Sequence, residues 1–174
     1  MCGIVGYIGE KPVYDILING LKKLEYRGYD SSGVMIYNNE LLVKKSKGKV
    51  SALENLFSNE KDKKGRIGIG HTRWATHGPP NQVNSHPHIS NSGKISLVHN
   101  GIIENYDSIK KILLKKGYTF SSDTDSEVLV NLIEDIKKSK KVKLGKAVYY
   151  ALKQVVGAYA IIAFDSTNPK ELVG

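Results

Sequence analysis

Apolar residues at Val13, Ile16, Leu17, Leu21 and Leu24 recur every three to four positions, the spacing of one helix face, and predict a helix over 13–24. Ahead of it, 2–8 is a short apolar, glycine-containing run with strand character, stopped by Gly9 and Pro12. Behind it, apolar runs at 34–37 and 41–45 flank Asn38-Asn39 and predict a β-hairpin. A short helix near 52–57 and a strand over 67–71 follow. Between Thr72 and Asn91 the periodicity lapses and three prolines appear, which predicts a long loop of the kind that usually carries function. The pattern resumes as a strand over 95–98 and runs into His99-Asn100-Gly101, a turn signal. Helices are predicted over 108–116, 126–138 and 144–155, and the continuous apolar run 158–164 suits a strand covered on both faces.

Strands and helices are therefore segregated along the chain rather than alternating, which argues for α+β layers over a doubly wound parallel sheet. The 174 residues suit one domain, with no internal repeat or linker. No basic leader precedes an apolar stretch, and no apolar run approaches the ~18 residues of a membrane span. One cysteine excludes an intrachain disulfide and suits a reducing, cytoplasmic compartment. The last residues, Leu172-Val173-Gly174, follow a strand-like restart and read as a C-terminal truncation.

The net charge of +9 raises nucleic-acid binding, but its source is lysine scattered over predicted helix faces and loop tips, without any nucleic-acid-binding motif. The three arginines are more informative. Arg66 looks incidental, whereas Arg27 and Arg73 fall in segments rich in glycine, aromatic and hydroxyl residues. A guanidinium offers a planar fork that holds a carboxylate through two hydrogen bonds, so a small acid is the better candidate ligand.

All five histidines lie between His71 and His99. His86-Pro87-His88 has no acidic or thiol partner at ligand spacing, so no metal site is expected, and His71 and His99 read as hydrogen-bonded interior or rim residues. Cys2 becomes the first residue once Met1 is removed, which puts a thiol and a free α-amine on one residue. With reference pKa values of about 8.5 and 7.7–8.0, the amine can take the thiol's proton near neutral pH and act as its general base. While Met1 is attached, that nitrogen is a peptide amide with no useful basicity. Asn100-Gly101 offers a side-chain amide and an unhindered backbone N–H, the two donors an oxyanion needs, although taken alone the dipeptide reads first as a plain turn. Ser121 to Asp125 precedes a helix and suits capping.

Together, Cys2-Gly-Ile-Val-Gly6, Arg27-Gly-Tyr-Asp-Ser31, His71-Thr-Arg-Trp-Ala-Thr-His-Gly78, His99-Asn-Gly-Ile-Ile-Glu-Asn105 and Thr124-Asp125 closely resemble the class II glutamine amidotransferases, in order and over the whole chain. The resemblance implies the N-terminal nucleophile hydrolase fold, a four-layer αββα sandwich of two antiparallel sheets between helical layers, filling one glutaminase domain over 2–174. It implies Cys2 as nucleophile, Asn100 and Gly101 as the oxyanion hole, and Arg27 and Gly28 as supports of the N-terminal residue. Arg73 would grip the α-carboxylate of L-glutamine and Asp125 its α-ammonium, with Trp74, Thr76 and His77 in the substrate loop and no cofactor. Tyr29, Trp74-Ala75 and Ile102-Ile-Glu104 favour the hexosamine-forming branch, whose homo-oligomeric enzymes pass ammonia to a sugar-phosphate isomerase domain of the same polypeptide. The alternatives are the phosphoribosylpyrophosphate-using branch and a module that binds glutamine without turnover.

Overall fold

In a computed structural model, which describes residues 2–74 and 78–174, the chain forms two antiparallel sheets between helical layers. The first sheet contains β1 (Gly3–Ile8), β2 (Ser31–Asn38), β3 (Glu40–Lys47) and β4 (Ile67–Arg73) in the order β1-β4-β2-β3. The second contains β5 (His88–Ile89), β6 (Ile95–Gly101) and β7 (Tyr159–Asp165) in the order β5-β6-β7. Val173 bridges to Ala163 along the other side of β7.

Among the described residues, five α-helices cover the outer faces: α1 (Val13–Leu24), α2 (Val50–Glu54), α3 (Tyr106–Lys115), α4 (Asp125–Lys140) and α5 (Leu144–Leu152). The buried stripe Val13, Leu17, Ile18 and Leu21 lays α1 on the first sheet, where Val34 and Ile36 point outward from β2. Helices α3, α4 and α5 cover the second sheet through Leu113, Leu129, Ile133 and Ala147, which meet Ile95, Leu97, Ile161 and Ala163. Between the sheets lie Met35, Ile69, Val98 and Phe164, with the Tyr37 and Phe164 ring centroids 5.1 Å apart. The layer order is α, β, β, α.

Strand parity sets up the site. Side chains alternate across a sheet, so on β4 the residues sharing the inward face of Ile69 are Ile67, His71 and Arg73, while Gly68, Gly70 and Thr72 face α1. On β6, Val98 and Asn100 point inward, and Ile95, Leu97 and His99 face the helices. The chain therefore becomes polar on both inner faces at the same end of the sandwich.

Two expectations change. His99-Asn100-Gly101 is not a turn: β6 runs through it, and β7 pairs with it as far as Gly101 opposite Tyr159. Gly101 has φ of 129°, and a Cβ there would sit 2.1 Å from the Ala158 carbonyl oxygen, so glycine is required by a close strand approach. The segment 72–91 is also less irregular than its prolines imply. Strand β4 continues to Arg73 because it finds a ladder partner in distant β2, and β5 occupies His88–Ile89 as a short hairpin partner of β6. Smaller differences are the positions of α2, which spans Val50–Glu54, and the end of α5, which stops at Leu152.

Candidate active site

At the polar end of the sandwich, a pocket of about 400 Å³ is lined by Cys2, Arg27, Arg73, Trp74, Asn100, Gly101 and Asp125, together with His86, His99, Ile102, Thr124 and Ser126. Seven of the ten residues singled out from the sequence thus converge from five separate stretches of chain. Gly28 stands just behind them. A Cβ on it would lie 2.9 Å from the backbone carbonyl of Arg73 and 3.0 Å from the Trp74 nitrogen, so its missing side chain lets residues 73–74 reach Cys2. Thr76 and His77 lie outside the described residues.

The edge strand β1 carries Cys2 to this point. Gly3 pairs with Thr72, which brings the preceding residue beside the end of β4. There the Trp74 backbone N–H donates to Cys2 Sγ at 3.1 Å, and Sγ lies 3.5 Å from the Trp74 carbonyl oxygen. The Asn100 side-chain Nδ2 donates to the Cys2 carbonyl oxygen at 3.2 Å, so an amide N–H group stands beside the reacting residue. Trp74 is itself half-exposed at the mouth, with the Tyr29 ring edge-on at 6.0 Å between centroids.

Charge in the pocket is divided. Arg73 is buried at the end of β4 and donates to the carbonyl oxygens of Gly78 and Pro79 at 3.3 and 3.4 Å. Asp125 is the first residue of α4, where a carboxylate is favoured by the helix N-terminus. Its Oδ2 accepts the backbone N–H of Ile103 at 2.8 Å, which fixes the carboxylate toward the pocket side of β6. The preceding residue, Thr124, caps the helix by accepting from the Glu127 N–H at 3.3 Å.

Four histidines missed as site components support these groups from behind. The ring centroids of His71 and His86 are 4.1 Å apart, and those of His86 and His88 4.7 Å. His86 Nε2 and His99 Nδ1 both lie 2.8 Å from Ser126 Oγ, and His88 Nε2 lies 3.0 Å from Thr124 Oγ1. His71 Nε2 is 2.7 Å from Asn100 Oδ1. The available signal was the parity of β4, which puts His71 on the same inward face as Arg73. Among the described residues no group of His, Cys, Asp and Glu side chains is arranged to hold a metal ion. Nor is any helix long and apolar enough to cross a membrane.

A model of the family described as "Glutamine amidotransferase domain" matches residues 57–173. The chain belongs to the glutamine amidotransferase domain family. Its class II relatives include a glutamine–fructose-6-phosphate aminotransferase (isomerizing) from Bacteroides thetaiotaomicron, 58% identical over 99% of this chain and 28% of that protein. The enzyme of that name from Pyrococcus horikoshii is 46% identical over 99% of this chain and 29% of its own length. The chain thus spans under a third of these relatives. Among solved structures, glutamine phosphoribosylpyrophosphate amidotransferase from B. subtilis superposes with a TM-score of 0.79 at 29% identity, covering 95% of this chain and 35% of that one. This amidotransferase domain accordingly has the N-terminal nucleophile hydrolase type of sandwich.

Burial makes the histidine cluster a pH-sensitive part of the domain. Desolvation holds His71 down at about 4, against the donor role toward Asn100 that raises it, and holds His86 and His88 well below the ordinary range. In the unfolded chain these rings titrate near 6.5. Between 6.5 and 4 the unfolded state therefore binds more protons, and stability falls as the pH drops through that window. His71 alone should cost about 2 kcal/mol between pH 7.5 and 5. Urea unfolding at the two pH values measures this, and equal midpoints and slopes would contradict it.

Proposed function

We propose that this domain hydrolyses the side-chain amide of L-glutamine through a thioester on Cys2, with the α-amine exposed by loss of Met1 as the general base. Support comes above all from one pocket in which the Cys2 thiol, the Asn100 amide, Arg73 and Asp125 converge. The amine takes the thiol proton, and sulfur attacks the amide carbon. The carbonyl π pair moves to oxygen, where the Asn100 amide and the Gly101 N–H receive the charge. When the intermediate collapses, the C–N bond breaks and the protonated α-amine gives its proton to the departing nitrogen, releasing ammonia. Water, deprotonated by the same amine, attacks the thioester; the C–S bond breaks, glutamate forms and the thiol is restored.

Specificity follows from the divided charge. Arg73 holds the α-carboxylate and Asp125 the α-ammonium of the substrate, and Trp74 belongs to the loop that closes over it. Arg27 and Gly28 act on the N-terminal residue, Gly28 by admitting the backbone of residues 73–74.

In the full-length protein, the ammonia passes to a sugar-phosphate isomerase domain that converts fructose 6-phosphate to glucosamine 6-phosphate. Identities of 46–58% over 99% of the chain to enzymes named for fructose 6-phosphate favour this acceptor over phosphoribosylpyrophosphate, whose structural relative is 29% identical.

Cys2→Ala should abolish ammonia release from glutamine, and the electrophilic analogue diazo-oxo-norleucine should add once, on Cys2. A peptide map without that adduct would instead support a module that binds glutamine without turnover. Arg73→Lys should raise KM for glutamine about tenfold or more, because a point charge cannot reproduce a two-pronged grip; unchanged kinetics would remove Arg73 from the pocket chemistry. Given glutamine, the full-length protein should consume fructose 6-phosphate and leave phosphoribosylpyrophosphate untouched. The reverse preference would reassign the branch.

A further inference from the structure

The oxyanion donor attributed to Asn100 raises a question of orientation. A primary amide is nearly symmetric in shape, yet one end donates and the other accepts. Turned by 180°, Asn100 would present a carbonyl oxygen to the developing negative charge. Something must hold the NH₂ end toward Cys2.

We propose that His71 is the positioning residue that sets the Asn100 amide, its Nε2–H capturing Oδ1 so that Nδ2 is left to face the reacting carbon. His71 Nε2 lies 2.7 Å from Asn100 Oδ1 and 3.1 Å from the His99 carbonyl oxygen. The backbone carbonyl can only accept, so Nε2 carries the hydrogen, and the amide atom that meets it is the oxygen. The opposite end then makes its 3.2 Å contact with the Cys2 carbonyl. A flipped amide would lose both contacts, setting NH₂ against Nε2–H and oxygen against oxygen.

The ring is itself held rigidly enough for this task. It is 1% exposed, its backbone is paired to Ile4 on one side and Gly33 on the other, and its face lies against His86 with ring planes 32° apart. His71 comes from the first sheet and Asn100 from the second, so the hydrogen bond spans the sandwich at its polar end. His71 does not itself line the pocket and reaches it through the lining residues Asn100 and His86, which makes its role indirect.

The inference rests on the glutaminase reaction proposed above, and its test keeps the two separable. Kinetics of glutamine hydrolysis are measured for the protein lacking Met1 and for His71→Gln, His71→Asn, Asn100→Ala and the His71→Asn/Asn100→Ala double variant. The Gln amide nitrogen reaches the position of Nε2, whereas the Asn amide stops at the position of Nδ1. Asn100→Ala should lower kcat about 100-fold. His71→Asn should lower kcat about tenfold or more with KM within about twofold, since the oxyanion exists only beyond the ground state. His71→Gln should recover most of that loss, and the double variant should be no slower than Asn100→Ala alone.

Equal impairment of the Gln and Asn variants, a change confined to KM, or additive losses in the double variant would overturn the positioning role while leaving the reaction intact. If His71→Asn does not fold, His71→Gln decides: kcat near the parent supports the role, and a fall as deep as that of Asn100→Ala overturns it. A parent protein that releases no ammonia, with Met1 verified absent by intact mass, would remove the reaction and the role together.

Discussion

The two sheets are joined at the pocket end by a hydrogen bond, not by apolar contact. Deeper in the sandwich, Met35 and Ile69 of one sheet meet Val98 and Phe164 of the other. One residue further along β4 and β6 in the inward register, the pair becomes His71 and Asn100, 2.7 Å apart. Apolar packing tolerates small sliding because it is non-directional. A buried hydrogen bond does not, since a mismatch leaves a desolvated donor and acceptor unmet at a cost of about 1–3 kcal/mol each. The geometry around Cys2 is thus fixed where the restoring force is steepest. The same choice has a cost in acid, because burial disfavours the protonated form of these rings.

Cys2, the proposed nucleophile, is positioned almost entirely by main chain. Gly3 pairs with Thr72 on the edge strand, and the thiol of the preceding residue meets the backbone of Trp74 rather than another side chain. Placing catalytic atoms on a sheet ladder uses the least deformable part of the molecule. It also explains why glycine is needed at position 28, where any β-carbon would push against the backbone of Arg73 and Trp74 and displace the thiol's donor. Among the described lining residues, Trp74 and Ile102 are the large apolar side chains left substantially exposed.

Much of this was legible in the chain, and the failures have a common cause. The alternation Ile67-Gly-Ile-Gly-His-Thr-Arg73 already assigns His71 and Arg73 to one face, and Thr124 ahead of α4 already reads as a cap. Asn100-Gly101 misled because local preference favours a turn, whereas β7, some sixty residues away, supplies a ladder partner that overrides it. Read locally, His86-Pro87-His88 suggests only metal binding, because its partners Ser126 and Thr124 are about forty residues distant. Local composition encodes which groups are available; pairing between remote segments decides what each one faces.

The arrangement of opposite charges also constrains what the pocket accepts. Arg73 belongs to the first sheet and Asp125 to the helix covering the second, and both are at least nine-tenths buried. A monoanion entering the pocket would add a charge partner for the guanidinium but none for the carboxylate, and a monocation would do the reverse. Only a ligand carrying both charges at matching separation compensates both desolvation costs. Such a ligand also ties the two halves of the sandwich together at the end where the His71–Asn100 bond already holds them. Binding and orientation of the proposed oxyanion donor then draw on the same relative placement of the two sheets, so a substitution that lets them slide should weaken recognition and the bond-making step together.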